Sequence, residues 1–171
     1  MNGYIRLLED LYLIHALPAW GKNYSKRAIG KPKIVISDTG LVCSLNGITE
    51  GFLANIENGN ELGPLIETLV INEILKQQTW SKIGFDAYHY RDKDEKEVDL
   101  VLELGSGEVI AIEIKAASSV SGKDFAGMKM LRDMLGNRFH CGVLLYTGTE
   151  ALPFGDRLYC APVSSIWQFS A

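Results

Sequence analysis

Two acidic residues fall at positions where their side chains could share a site. Asp99 and Glu113 lie within Glu97–Ala116, a segment that predicts two strands joined by a Gly-Ser-Gly turn at Gly105–Gly107. If this turn is centred on Ser106, residues 99 and 113 are directly opposed, with Cβ atoms roughly 4.5–5.5 Å apart. Two carboxylates held so close repel each other, and the pattern therefore indicates a positive charge between them.

This positive charge could come from the protein or from a bound ion. Lys115 lies two residues beyond Glu113 on the same strand face and supplies part of it. A divalent ion, Mg²⁺ or Mn²⁺, could supply the rest, because Mg²⁺ is bound by one or two carboxylates together with waters and substrate phosphate. A solvated strand face with a surface salt bridge explains the same pattern without a metal, and a one-residue shift of the turn would change the pairing.

A third acid, Glu67, lies within the apolar stripe of a helix predicted over Gly63–Gln78. Spacings of three, four and seven residues place three apolar side chains on its stripe: Val70, Ile71 and Ile74. A buried carboxylate costs several kcal/mol unless it is paired, hydrogen-bonded or protonated. Glu67 therefore needs a partner, and the best one available is a cation held near the two strand acids. Glu73, six residues further along the helix, is a weaker candidate.

The apolar residues of the hairpin predict its core. Alternation along each strand predicts three core residues on one face of the first strand and three on one face of the second. These are Val98, Leu100 and Leu102 in the first strand, and Ile110, Ile112 and Ile114 in the second. The opposite faces would then carry the acids and Lys115.

Further periodic segments predict helices and strands around this hairpin. The helices are Tyr4–Leu17, Gly63–Gln78 and Lys123–Leu135, and the strands are Lys33–Ser37, Phe85–Arg91, Cys141–Tyr146 and Arg157–Val163. Asp38 is expected to cap the short helix after the first of these strands. Cys141–Tyr146 is almost entirely apolar and should lie parallel to Val109–Ala116 in the middle of the sheet, with Arg157–Val163 at an edge.

Composition indicates an ordinary globular chain of 171 residues with a formal net charge of −4. No apolar run reaches the ~18 residues that a membrane span needs, and the first ten residues do not have the pattern of a signal peptide. The three cysteines fit no zinc-site spacing and favour a reducing cytoplasm. The Gly- and Asn-rich segment Asn46–Asn60 predicts a loop, and hence an N-terminal appendage over residues 1–50 and a main domain over residues 51–171.

The order of these residues resembles the restriction-endonuclease-like, or PD-(D/E)XK, nuclease superfamily. Asp99 matches the first motif, Glu113-Ile114-Lys115 the second, and Glu67 the first-helix acid of members that resemble Holliday-junction resolvases. The resemblance implies an α/β fold with a mixed central sheet flanked by helices. It also implies metal ligation by Asp99, Glu113 and Glu67, with the Ile114 carbonyl as a further ligand, and a catalytic role for Lys115. Val98 precedes Asp99 where the superfamily signature has proline.

A closer similarity extends over most of the chain. KIVISDTGLVCSLNG, GPLIETLVINEI, YRDKDEKEVDLVLE and IAIEIKAA are similar to the C-terminal domain, itself of unknown function, of a prokaryotic AAA+ ATPase family. This implies an ATPase module as partner and the end of a winged-helix segment within residues 1–50. The chain has no G-x-x-x-x-G-K-[ST] motif, so that route to ATP binding is absent.

Three functions are compatible with these residues. The first is a metal-dependent phosphodiesterase, or nuclease, that acts on DNA or RNA. The second is a catalytically inactive, nuclease-derived module that binds DNA or regulates an ATPase. The third is a scaffold that binds no metal. The oligomeric state stays open.

Overall fold

The computed structural model describes residues 2–21, 31–53, 59–92 and 96–168, and its centre is a six-stranded mixed sheet. The helices are α1 (Asn2–Asp10), α2 (Thr39–Leu45), α3 (Glu50–Leu53), α4 (Gly59–Gln78) and α5 (Ala126–Leu135). The strands are β1 (Ile14–Leu17), β2 (Lys33–Ile36), β3 (Phe85–Arg91), β4 (Glu97–Leu104), β5 (Val109–Lys115), β6 (Phe139–Tyr146), β7 (Leu152–Gly155) and β8 (Leu158–Pro162).

The central sheet has the order β3-β4-β5-β6-β8-β7, and β1 and β2 form a separate two-stranded sheet. The β5–β6 and β6–β8 pairs are parallel, whereas β3–β4, β4–β5 and β7–β8 are antiparallel. Helix α5 connects β5 to β6, as the strand–helix–strand pattern predicts. Among the described residues, no helix combines the length and the apolar character needed to cross a membrane.

Each face of the sheet packs against one long helix. Helix α4 covers one face through residues that include Val70, Ile71 and Ile74, packed on a cluster with Leu100, Leu102, Ile112, Ile114 and Leu145. Helix α5 covers the other face through Met128, Leu131 and Leu135, packed on a cluster with Val98, Val101, Val109, Ala111 and Leu144. Fully burying one such side chain stabilises the fold by about 1.5–3 kcal/mol, so these two layers fix the sheet between the helices.

The register of the β4–β5 hairpin confirms the predicted turn centre. Leu100 lies opposite Ile112 and Leu102 lies opposite Ile110, so paired residue numbers are symmetrical about 106. The pairing stops at Leu100 and Ile112, and residues 99 and 113 come next in the same register. The predicted acids therefore lie where the two strands cease to pair.

The assignment of Val98 to the same face as Leu100 and Leu102 is wrong. Tyr88 pairs with Val101, but Tyr90 pairs with Val98, so β4 contains one extra residue at this point. Such a β-bulge reverses the alternation of side chains beyond it. Val98 consequently packs in the α5 layer, while Leu100 and Leu102 pack in the α4 layer.

The predicted helix Tyr4–Leu17 is wrong in its second half. Helix α1 ends at Asp10, and Tyr12 follows with φ of 57°, a left-handed backbone conformation that no helix continues through. Ile14–Leu17 forms strand β1 and pairs antiparallel with β2. His15 therefore lies on a strand rather than on a helix face. Apolar spacing suited a helix here, but pairing with a distant strand decided the outcome.

Two further expectations need correction. The predicted loop Asn46–Asn60 contains the short helix Glu50–Leu53 and the start of α4, while residues 54–58 lie outside the described residues. The strand predicted over Arg157–Val163 is β8, which lies inside the sheet, and β7 forms the edge instead. The cap is confirmed, because Asp38 Oδ1 accepts a hydrogen bond of 2.6 Å from the Leu41 N–H.

Candidate functional site

All four predicted site residues line one pocket of about 440 Å³. Glu67 comes from α4, Asp99 from β4, and Glu113 and Lys115 from β5. The remaining lining residues come from the start of α4, from β5 and from the segment that follows β5: Gly63, Pro64, Ile114, Ala116, Ala117, Ser119 and Asp124. Since Ala117 and Ser119 are exposed, the pocket reaches the protein surface.

Asp99 is held in the gap where β4 and β5 stop pairing. Its Oδ2 accepts a hydrogen bond of 2.9 Å from the Ile114 N–H. The bulge in β4 turns the Asp99 side chain towards α4 and β2, where its other oxygen, Oδ1, lies 3.6 Å from the Lys33 Nζ. Burial, together with the negative charge of Glu67, raises the pKa of Asp99 to about 6, even though Lys33 and Ile114 both favour the ionised form.

Glu113 is the least compensated acid of the pocket. Its Oε2 is buried and has no hydrogen-bond partner among the described residues. Burial and the negative charge of Asp99 raise the pKa of Glu113 to about 8, while the positive charges of Lys115 and Lys33 act in the opposite direction. A buried polar atom without a partner carries its full desolvation cost, so Glu113 favours any cation or donor that enters the pocket.

Lys33 contacts two acids of the pocket, which the sequence did not indicate. Its Nζ forms an ion pair with Glu67 Oε1 and approaches Asp99. Burial favours the neutral amine, but the hydrogen bond and charge of Glu67 and the charge of Asp99 outweigh it and raise the pKa of Lys33. Glu67 therefore has the cationic partner that its burial required, although this partner is a lysine of β2 and not an ion held by the strand acids.

Strand β2 is attached to α4, which places Lys33 beside Glu67 and Asp99. The buried Asn72 side chain donates a hydrogen bond of 2.7 Å from Nδ2 to the Ile36 carbonyl. Val35 is buried in the same layer as Ile71. The signal in the sequence was that Lys33 begins a predicted strand, but nothing local indicated which helix that strand would contact.

Lys115 lies at the edge of the pocket rather than between the acids. Its side chain is 43% exposed, and its Nζ lies 3.5 Å from Asp124 Oδ1. Asp124 is fixed in turn by the backbone N–H and the hydroxyl of Ser121, at 2.8 and 2.9 Å, and these contacts lower the pKa of Asp124. The positive charge of Lys115 still lowers the pKa of Glu113, although its Nζ lies against Asp124.

Glu73 does not belong to the site. Its carboxylate forms an ion pair of 2.6 Å with Lys76 and accepts a hydrogen bond of 3.1 Å from Trp167 Nε1. The hydrogen bonds from Lys76 and Trp167 lower the pKa of Glu73. The carboxylate is therefore fully used in joining α4 to the segment that follows β8.

The donor set of the pocket consists of oxygen atoms. They include the carboxylates of Glu67, Asp99 and Glu113, which line the pocket. Hard divalent cations such as Mg²⁺ prefer such ligands and need only one or two carboxylates. In the described ranges no three His, Cys, Asp or Glu side chains lie close enough together to form a metal site by themselves, and Lys33 stands between Glu67 and Asp99. The partnerless Glu113 Oε2 nevertheless fits a cation ligand.

Comparison with known proteins finds relatives whose function is also unassigned. The chain is 28% identical over 163 residues to uncharacterized protein Mb2031c of Mycobacterium bovis and, equally, to uncharacterized protein Rv2008c of Mycobacterium tuberculosis. Each alignment covers 95% of this chain but 34% of the relative, so the chain spans about a third of the length of these proteins. No solved structure matches the chain significantly.

Two family matches divide the sequence. Residues 1–51 match a domain of unknown function, DUF8612. Residues 62–166, which include Glu67, Asp99, Glu113 and Lys115, match a second one. Because this second match covers more than half of the sequence, the chain belongs to the family of the domain of unknown function DUF4143.

Proposed function

We propose that the domain is a metal-dependent phosphodiesterase with a restriction-endonuclease-like core, and that its substrate is nucleic acid. One observation carries this proposal: Glu67, Asp99, Glu113 and Lys115 come from three different elements and line the same surface pocket. A purely structural role does not require this convergence, because each acid costs free energy where it lies. Sites of catalysis commonly contain such strained and pKa-shifted groups.

The protein groups have separable roles in this mechanism. Asp99, oriented by the Ile114 N–H, and Glu113, through its partnerless Oε2, would supply the ligands of one divalent cation. When bound, the ion would neutralise charge on the phosphodiester and lower the pKa of a water molecule. Lys115, half exposed at the edge and steadied by Asp124, would donate to a phosphate oxygen or orient the attacking water. Glu67 holds the Lys33 ammonium at the pocket.

A cleft beside the pocket supports nucleic acid as the substrate. It has a volume of about 470 Å³, and its lining includes the basic residues Lys31, Lys33 and Arg91 together with Glu97, which forms an ion pair of 2.8 Å with Arg91. Lys33 lines this cleft while its Nζ contacts the acids of the pocket. Cationic side chains next to an acidic site suit a phosphate backbone, whose charge dominates nucleic-acid affinity. Because the chain as a whole has a net charge of −4, this attraction to phosphate would be confined to the cleft.

An AAA+ ATPase module is the proposed partner. The similarity of KIVISDTGLVCSLNG and the three other segments to the C-terminal domain of an ATPase family supports it. The curated relatives are about three times as long as the aligned region, which leaves room in them for such a module. The ATPase would act on nucleic acid or protein while this domain contacts the phosphodiester.

A second candidate function is a nuclease-derived module that binds nucleic acid or regulates the ATPase without cutting. The Lys33–Glu67 ion pair favours it, because an internal cation already compensates two of the three acids. The direction of Lys115 towards Asp124 favours it as well. In this case the acids of the pocket would bind no catalytic metal, and the positive charge of Lys33 would balance part of their negative charge.

A cleavage assay distinguishes the two candidates. Purified protein is incubated with Mg²⁺ or Mn²⁺ and end-labelled single-stranded DNA, duplex DNA or RNA. If the domain is a nuclease, at least one substrate is cut, and Asp99→Asn or Lys115→Ala lowers the rate about 100- to 1,000-fold, because each removes charge stabilisation from the transition state. Lys82→Ala, which alters an exposed lysine in the turn before β3, serves as the matched control and leaves the rate unchanged.

Equal cutting by wild-type protein, Asp99→Asn and Lys115→Ala would trace the activity to a contaminant and remove the proposal. Retention of labelled DNA without cutting, lost in a Lys31→Ala/Arg91→Ala variant, would favour the binding module instead.

A further inference from the structure

Lys33 occupies the position that a divalent cation would take beside two of the three acids. Its Nζ pairs with Glu67 Oε1 and lies 3.6 Å from Asp99 Oδ1. An ammonium in this position neutralises part of the repulsion between the acids. It also blocks close approach of a second cation to Asp99 Oδ1, because like charges at such distances repel.

The structure leaves room for Lys33 to move. The side chains of Lys33 and Glu67 are 29% and 26% exposed, so their ion pair is reachable by water and not locked in the core. Lys33 also lines the neighbouring cleft, together with Glu97. In this cleft the ammonium would meet water and the negative charge of Glu97, which is paired with Arg91 at 2.8 Å and already raises the pKa of Lys33.

Lys115, in contrast, is not the internal counter-ion of the pocket. Its Nζ lies against Asp124, whose second oxygen is held by Ser121. Movement of Lys115 would not free an oxygen of Glu67 or Asp99. Of the two lysines at the site, Lys33 is thus the one whose displacement opens ligand atoms.

From these contacts we infer that Lys33 is a displaceable counter-ion: it pairs with Glu67 and Asp99 when no divalent cation is bound and swings into the neighbouring cleft when one binds. Metal binding would then compete with a side chain of the same chain, which weakens the affinity and couples metal loading to the position of β2. This inference rests on the proposed metal site. It adds Lys33, as a residue that regulates metal binding, to the four site residues predicted from the sequence.

Calorimetric titration of Mn²⁺ into three proteins tests the inference: wild type, Lys33→Met and Lys82→Met. Lys33→Met removes the competing ammonium and keeps a side chain of similar length. An ion pair of this exposure contributes up to about 1 kcal/mol, so we expect Lys33→Met to bind Mn²⁺ about fivefold more tightly than wild type. Lys82→Met is the matched control, because it removes an equal charge from an exposed position in the turn before β3, and it should bind like wild type.

Equal or weaker Mn²⁺ binding by Lys33→Met would overturn the counter-ion role and leave the proposed nuclease function intact. If neither wild type nor Lys33→Met binds Mn²⁺, both the inference and the metal-dependent function fail.

A measurement on the wild-type protein covers the case in which Lys33→Met does not fold. The ¹⁵N-labelled ammonium signal of Lys33, assigned with Lys33→Arg, is followed by NMR as Mg²⁺ is added. We expect the signal to move towards that of a solvent-exposed lysine as Mg²⁺ binds. A Lys33 signal that keeps its position while other residues of the pocket shift would contradict the displacement.

Discussion

The acidic residues at the two ends of the β4–β5 hairpin differ in how well their charges are compensated. At the turn end, Glu103 receives a 2.9 Å ion pair from Arg138, whose Nε also donates to the Gly107 carbonyl. At the other end, Glu113 has a buried oxygen with no hydrogen-bond partner in the part of the chain that the structure describes, and the pKa values of Asp99 and Glu113 are both raised. The same two strands thus carry one satisfied acid and two poorly satisfied ones.

Under the proposed function, the acid at the turn end has a structural role and the acids at the other end bind a ligand. Glu103 and Arg138 join the turn to the start of β6, and their charges cancel. The acids of the pocket repel each other, and Lys33 compensates them only in part. Charged groups that destabilise a fold are common at sites that bind a ligand.

Exchange of each acid for its amide should have opposite effects on stability at the two ends. At pH 9, Glu113→Gln removes a buried charge and should raise the free energy of unfolding by about 2 kcal/mol. Glu103→Gln leaves Arg138 without its carboxylate and should lower the free energy of unfolding by about 1 kcal/mol. Urea denaturation followed by circular dichroism measures both values.

Asp133→Asn, a change of an exposed acid on α5, is the control for the loss of charge alone and should stay within about 0.5 kcal/mol of wild type. Destabilisation by both Glu113→Gln and Glu103→Gln would show that the two ends are equivalent, contrary to this comparison.

The pH dependence of stability offers a finer contrast. Folding raises the pKa of Glu113 from its ordinary value of 4.5 to about 8. Between these values the folded protein holds a proton that the unfolded chain has lost, so the stability contributed by this proton falls as pH rises and is gone above pH 8. Wild type should therefore lose about 1 kcal/mol more than Glu113→Gln between pH 5 and pH 8, after allowance for partial solvent exposure.

Glu103→Gln should keep the wild-type slope, since it leaves Glu113 in place. Denaturant titrations at pH 5, 6.5 and 8 give the slopes. A slope in Glu113→Gln as steep as that of wild type would assign the proton to another group.

Local patterns predicted the hairpin and its acids well. A two-residue period and a short Gly-Ser-Gly turn leave little freedom of register, so the turn centre at Ser106 followed from the sequence. The predicted pairing of residues 99 and 113 is not formed, because the strands stop pairing at Leu100 and Ile112. The helical spacing of Glu67, Val70 and Ile74 was similarly sufficient to place Glu67 towards the sheet.

Contacts between distant segments were beyond the reach of these patterns. Strand β1 was mistaken for helix because its pairing with β2 is a tertiary contact. The bulge that moves Val98 to the other face depends on how β3 and β4 pair. Lys33 reaches Glu67 and Asp99 only because β2 is held on α4 by Asn72 and Val35, which no spacing rule indicates.

The most direct test of the central claim is whether the unpaired end of the hairpin holds a divalent cation. Mn²⁺ is titrated calorimetrically into wild type, the Asp99→Asn/Glu113→Gln double variant and Glu103→Gln. We predict binding of one ion by wild type and by Glu103→Gln, and a loss of affinity of about 100-fold or more in the double variant, because both carboxylate ligands are gone. Mn²⁺ binding by the double variant with the affinity of wild type would contradict the account.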